Sequence, residues 1–79
     1  MLNRIFVDFN NADEQGRVRL NTSGTLEDLR NKKIELNDGI EILLDDSDGL
    51  VTTGTIQFSK EENIWVALID WDKLKPRAV

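Results

Sequence analysis

The chain contains no cysteine and no histidine. Together these absences exclude disulfides, thiolate nucleophiles, imidazole general bases and nearly all zinc sites, and leave only oxygen ligands for any metal. No stretch approaches the roughly 20 consecutive apolar residues of a membrane span, and the opening "MLNRIFVDFNN" lacks the apolar run of a signal peptide. A cytoplasmic protein with no membrane partner is therefore expected. The five glycines are scattered singly, so no phosphate-cradling loop is present. Without a histidine to activate them, Thr52, Thr53 and Thr55 have no base to make them nucleophiles. No enzyme and no cofactor are expected. There is also no internal repeat, low-complexity tract or linker.

At 79 residues the chain forms a single domain, because two halves would each be too short to enclose a core. A domain of this size buries only about 60–65% of its unfolded surface, so a few large side chains carry its stability. The natural anchors are Phe6, Phe9, Phe58, Trp65 and Trp71.

The net charge of −5 is unevenly placed. Residues 1–33 carry six basic and five acidic groups, residues 34–59 six acidic and no basic groups, and the last twenty residues four of each. This balance opposes a phosphate backbone, whose binding draws on lysine and arginine. Arg17 and Arg19, two apart in "GRVRLN", are expected to share a strand face, as the centre of a small basic patch that Arg4 or Lys32 would extend. The alternatives are a weak nucleic-acid site and an ordinary solvated face.

The hydropathy pattern is that of short strands. In "RIFVDF", Ile5, Val7 and Phe9 alternate with Arg4, Phe6 and Asp8, and in "RVRLN", Val18 and Leu20 point the other way from the arginines. These two runs read as a hairpin joined by the loop "NNADEQG". "TSGTLEDLRNKK" is the one helical candidate, of about two turns, with Thr25 as N-cap, Asp28 as the capping-box acid, and Leu26 and Leu29 on one face. In "KIELNDGIEILL", Asn37, Asp38 and Gly39 separate two alternating runs as a tight hairpin turn, with Ile34, Leu36, Ile40, Ile42 and Leu44 on one face and Glu35 and Glu41 in water. "LVTTGTIQF" is β-branched, with Gly54 placed for a bulge or a sharp bend. "IWVALIDW" is apolar on both faces, as in a strand that is covered on both sides or offers one face to a partner. The fold class is mainly β: a small SH3-like, partly open barrel of about six short strands with one short helix. A sheet covered on one side by the Leu26–Leu29 helix is the alternative.

Three places carry candidate chemistry. "LLDDSDGL", Leu43 to Leu50, crowds Asp45, Asp46 and Asp48 before Gly49. With Gly49 as the sixth position of a calcium loop, Asp46 and Asp48 fall at the third and fifth, but Leu44 stands first and Thr55 twelfth. The stretch is a polar hairpin tip, and only weak divalent-ion binding at Asp45–Asp48 is left open. In "IDWDKL", Asp70 and Asp72 flank Trp71, a spacing that puts two carboxylates on one face, but a chain this short has little wall for a substrate cleft. They read as caps of the turn that follows the strand. Finally, Trp65 and Trp71 share the parity of Ala67 and Ile69. That face either completes the core or stands as an aromatic stripe.

The blocks "GRVRLN" (Gly16–Asn21), "GTLEDL" (Gly24–Leu29), "LNDG" (Leu36–Gly39) and "WVALIDWD" (Trp65–Asp72) resemble those of a group of short, uncharacterised bacterial proteins in which similar blocks occur in the same order. The resemblance implies a bacterial, cytoplasmic single-domain protein and brings with it no activity, cofactor or site residue. The resulting expectation is a non-catalytic module that binds another protein through Trp65, Ile69 and Trp71 or by β-addition at a strand edge. Weak nucleic-acid binding through Arg17 and Arg19, and homodimerisation through an unpaired edge, are the competing readings.

Overall fold

The computed structural model describes residues 2–76. Its elements in chain order are β1 (Arg4–Phe6), β2 (Val18–Arg19), α1 (Ser23–Asn31), β3 (Glu41–Asp45), β4 (Leu50–Ser59), β5 (Ile64–Leu68), a 3-10 turn (Trp71–Lys73) and β6 (Lys75–Pro76). The strands form one sheet in the order β1-β3-β4-β5-β2, with β6 pairing separately with the start of β4. The sheet curls into a half-barrel, as the mainly β reading expected.

The alternation read from the sequence places the core. Ile5, Val7 and Phe9, Ile42 and Leu44, Ile56, Ala67 and Ile69, and Val18 and Leu20 fill the inside of the curl. β3, β4 and β5 form the central antiparallel meander, with Ile42 opposite Gly54 and Ile56 opposite Ala67. Gly54 makes no bulge, since the register runs unbroken through it. Its role is steric: a Cβ there would stand 2.8 Å from Leu44 Cδ1 and 3.2 Å from both Ala67 Cβ and Ile69 Cγ2.

Three expectations are corrected. β1 and β2 are not a hairpin: β1 pairs in parallel with β3, β2 pairs antiparallel with β5, and the two lie at opposite ends of the sheet. The local turn closes instead within the loop, where Ala12 bridges Val18 and Asp13 accepts amide bonds from Gln15 and Arg17, each at 2.9 Å. Residues 33–36 form no strand. The helix ends in a Schellman arrangement, with Lys33 left-handed at φ 55° and the Lys33 and Ile34 amides donating back to Arg30 and Leu29. The chain then crosses over the core, against which Ile34, Leu36 and Ile40 pack. Burying these three side chains outweighs ladder pairing here. Last, Thr22 rather than Thr25 caps the helix, accepting the Thr25 amide at 3.3 Å. Leu26 is exposed, and only Leu29 of the two leucines packs on the core.

Thr25 and Asp28 serve β1 instead. Thr25 is fully buried and its Oγ1 donates to the Phe6 carbonyl at 2.8 Å, while Asp28 Oδ2 accepts the Phe6 amide at 2.8 Å. Lys32 Nζ donates to the Arg4 carbonyl. Gly24 lets the helix approach, since a Cβ there would lie 2.7 Å from the Phe6 ring. Helix side chains thus occupy the backbone groups that β1 turns away from β3. At the far end, residues 11–13 cover β2, through the Arg19 amide to Asn11 O and the Asp13 amide to Arg17 O.

Candidate functional site

The three tryptophan-face residues do not stay together. Trp65 packs toward the core and meets its cross-strand partner Phe58 edge-on, with centroids 5.1 Å apart. Ile69 is buried. Trp71 has left the strand for the 3-10 turn, where it is 41% exposed. Its Nε1 donates to the Gly16 carbonyl at 2.8 Å and its ring meets Phe9 edge-on at 6.4 Å. The indole is fixed along one edge and open on the rest.

The outward parity of the central strands forms the surface that Trp71 joins. Leu43, Val51, Thr53, Thr55 and Leu68 line an open groove of about 1000 Å³, with Trp71 at its side. Their register makes it continuous, since Leu43 faces Thr53 and Thr55 faces Leu68 across the ladder. Leu68 is 46% exposed. On the same face, Phe6 lies against Gly24 of α1, while Val66, in register with Arg19 and Gln57, is fully buried. Only the middle of the face is open. Among these residues the sequence reading singled out Trp71 and Ile69. It did not single out Leu43, Val51 or Leu68, although Leu43 carries the available signal: an apolar residue at an outward position between Glu41 and Asp45.

The rim is charged. Glu41, the first residue of β3, lies on one side of β4, with Asp70, Asp72 and Lys73 on the other. Asp70 Oδ1 accepts the Asp72 amide at 3.0 Å, so it caps the turn as its place at the strand end predicted.

Arg17 and Arg19 do share a face, but their guanidiniums are engaged. Arg17 Nε donates to Asp13 Oδ2 at 2.9 Å, with both side chains largely buried, and Arg17 NH1 reaches Gln57. Glu61 stands 3.8 Å from the same guanidinium. Arg19 binds both oxygens of Glu62, at 2.7 and 2.8 Å. Burial by itself would raise the Asp13 carboxyl, but bonds from the Arg17 amide, the Arg17 guanidinium and the Gln15 amide outweigh it and hold the group below its ordinary value. The paired bonds likewise raise the Arg19 guanidinium and lower the Glu62 carboxyl. Arg4 pairs with Asp45 at 3.1 Å.

Compared with protein-family models, with curated proteins and with solved structures, the chain matches none.

The aspartate stretch is the β3–β4 hairpin tip, with Ser47 and Gly49 at positive φ. Asp45 Oδ1 accepts the Ser47 amide, and Asp46 Oδ1 accepts those of Asp48 and Leu50. These carboxylates shape the turn. Among the described residues no group of three or more acids is arranged to hold a metal ion, and no helix is long and apolar enough to cross a membrane.

Proposed function

We propose that this protein is a non-catalytic module that binds another protein through the outer face of its central meander. One observation carries the reading: Leu68 and Trp71 are both exposed and line one open groove together with Leu43 and Val51. Of the four large apolar side chains exposed among the described residues, Leu2, Leu26, Leu68 and Trp71, the last two line the same groove, and contiguous exposed apolar surface marks interaction sites. Asp70 and Asp72 lie on the rim of an open surface rather than in an enclosed cleft, which supports binding over hydrolysis. The arginine face supports nucleic-acid binding less, because both guanidiniums already carry carboxylate partners. The matching fold reading is SH3-like, supported by the curl, by the long β4 shared between β3, β5 and β6, and by the 3-10 turn before the last strand.

The test is affinity capture from a lysate of the source organism, comparing the parent chain with Leu68→Asp and with Leu26→Asp, a control on the exposed side of α1. All three are expected to fold. A stoichiometric protein retained by the parent and the Leu26 variant, and lost from the Leu68 variant, is the expected result. Identical recoveries from all three overturn the assignment.

A further inference from the structure

We propose that the groove docks a lysine- or arginine-bearing amphipathic helix of a partner protein, a proposal that rests on reading the groove as a protein-binding surface. The kind of element follows from the topology. β-Addition needs a strand edge with unpaired backbone groups. At β1 the Phe6 amide and carbonyl and the Arg4 carbonyl are taken by Asp28, Thr25 and Lys32, at β2 the edge is taken by residues 11–13, and β6 is only two residues long and ends in Pro76, which has no N–H to donate. What is open is a sheet face, and of the two elements that cover one, a helix or a second sheet, a helix presents a whole apolar stripe in one short segment. The chain's own α1 sits at the β1 end and leaves the middle of the face uncovered.

Charge selects the flanks of that helix. Glu41 on one side of β4 and Asp70 and Asp72 on the other border a floor of Leu43, Val51 and Leu68, with Lys73 the single cation among the lining residues. None of the three carboxylates forms an ion pair with a described residue. The acids around the groove therefore face solvent with unused acceptor capacity, and the net charge of −5 adds a field of the same sign. A second copy of the chain would bring the same acids to the same rim. Nucleic acid would bring phosphates. A helix with leucine-like residues on one side and cations at the margins matches both floor and rim.

The test titrates the isotopically labelled full chain with three synthetic amphipathic helices of about fourteen residues, a length at which isolated helices become marginally stable. All three share the same leucine positions and carry lysine, glutamine or glutamate elsewhere. The lysine peptide is expected to shift the Leu43, Thr53 and Leu68 amides and the Trp71 indole N–H. It is expected to bind about tenfold more tightly than the glutamine peptide at low ionic strength, because exposed ion pairs each add little. That advantage disappears in high salt and in the Glu41→Gln/Asp70→Asn/Asp72→Asn variant, in which residue 70 keeps an oxygen for the cap. Equal groove binding by the lysine and glutamine peptides, or tighter binding by the glutamate peptide, overturns the basic partner and leaves the docking surface standing. Shifts confined to the region of Glu61 and Glu62, or no groove shift with any peptide, overturn both.

Discussion

At the scale of single residues, two positions carry more than their size suggests. Asp13 holds the 11–17 turn closed and covers the guanidinium of a largely buried Arg17. Its carboxyl is held below the ordinary value in the folded chain, so the stability it contributes is complete above the unfolded value, near 4, and is lost as pH falls through the folded one. Asp13→Asn is therefore expected to destabilise by about 1–3 kcal/mol at neutral pH, the range of a charge-assisted hydrogen bond. Urea midpoints of the two proteins measured from pH 7 downward should converge below about pH 4; a constant gap would show that the charge is irrelevant. Gly54 acts through space. Gly54→Ala presses a methyl against Leu44, Ala67 and Ile69, and overpacking of this kind costs about 1–3 kcal/mol, readable as a lower thermal midpoint. An unchanged midpoint would mean that the curl relaxes freely. Trp65→Ala removes a core-packed ring and its Phe58 partner contact and is expected to cost about 2–4 kcal/mol in the same assay.

At the scale of elements, α1 is an edge guard as much as a layer. Nothing in "TSGTLEDLRNKK" reveals that Thr25 and Asp28 are turned toward the backbone of β1, because the two threonines three apart are equally good caps on local grounds. Burial decides between them: Thr25 sits beneath the helix against Phe6, so Thr22 is left to cap. Replacing Thr25 by Val and Asp28 by Ala together opens the Phe6 amide and carbonyl while leaving the Thr22 cap oxygen in place. Faster hydrogen exchange at the Phe6 amide is expected, together with association that grows with concentration in light scattering, as for an uncovered edge strand. A variant that stays protected and monomeric would show that the edge is closed by something other than these two bonds.

At the scale of the whole molecule, the inward alternation of β1, β2 and β3 and the aspartate turn were legible from period and turn chemistry alone. The pairing was not. Nothing local links Arg4 to Leu43 or Val18 to Ala67, and these partners are set by how the curl buries Ile5, Leu44 and Ala67. The open side of β5 was equally hidden, because "IWVALIDW" is apolar on both faces. It is decided by Trp65 turning to the core and by the covered surroundings of Val66, which leave Leu68 in water. With both outer edges covered and an acidic rim around the open face, the intact chain is expected to sediment as a single 9.0 kDa species, and a dimer would overturn the role given to the rim. The parallel pairing of the first strand has a further consequence, during synthesis. β1 emerges from the ribosome about forty residues ahead of its partner β3, and β2 about fifty ahead of β5. Nascent chains halted before β5 can join β1 to β3 and β4 but hold β2 with no strand to pair with, so the sheet closes at that end only once β5 has emerged.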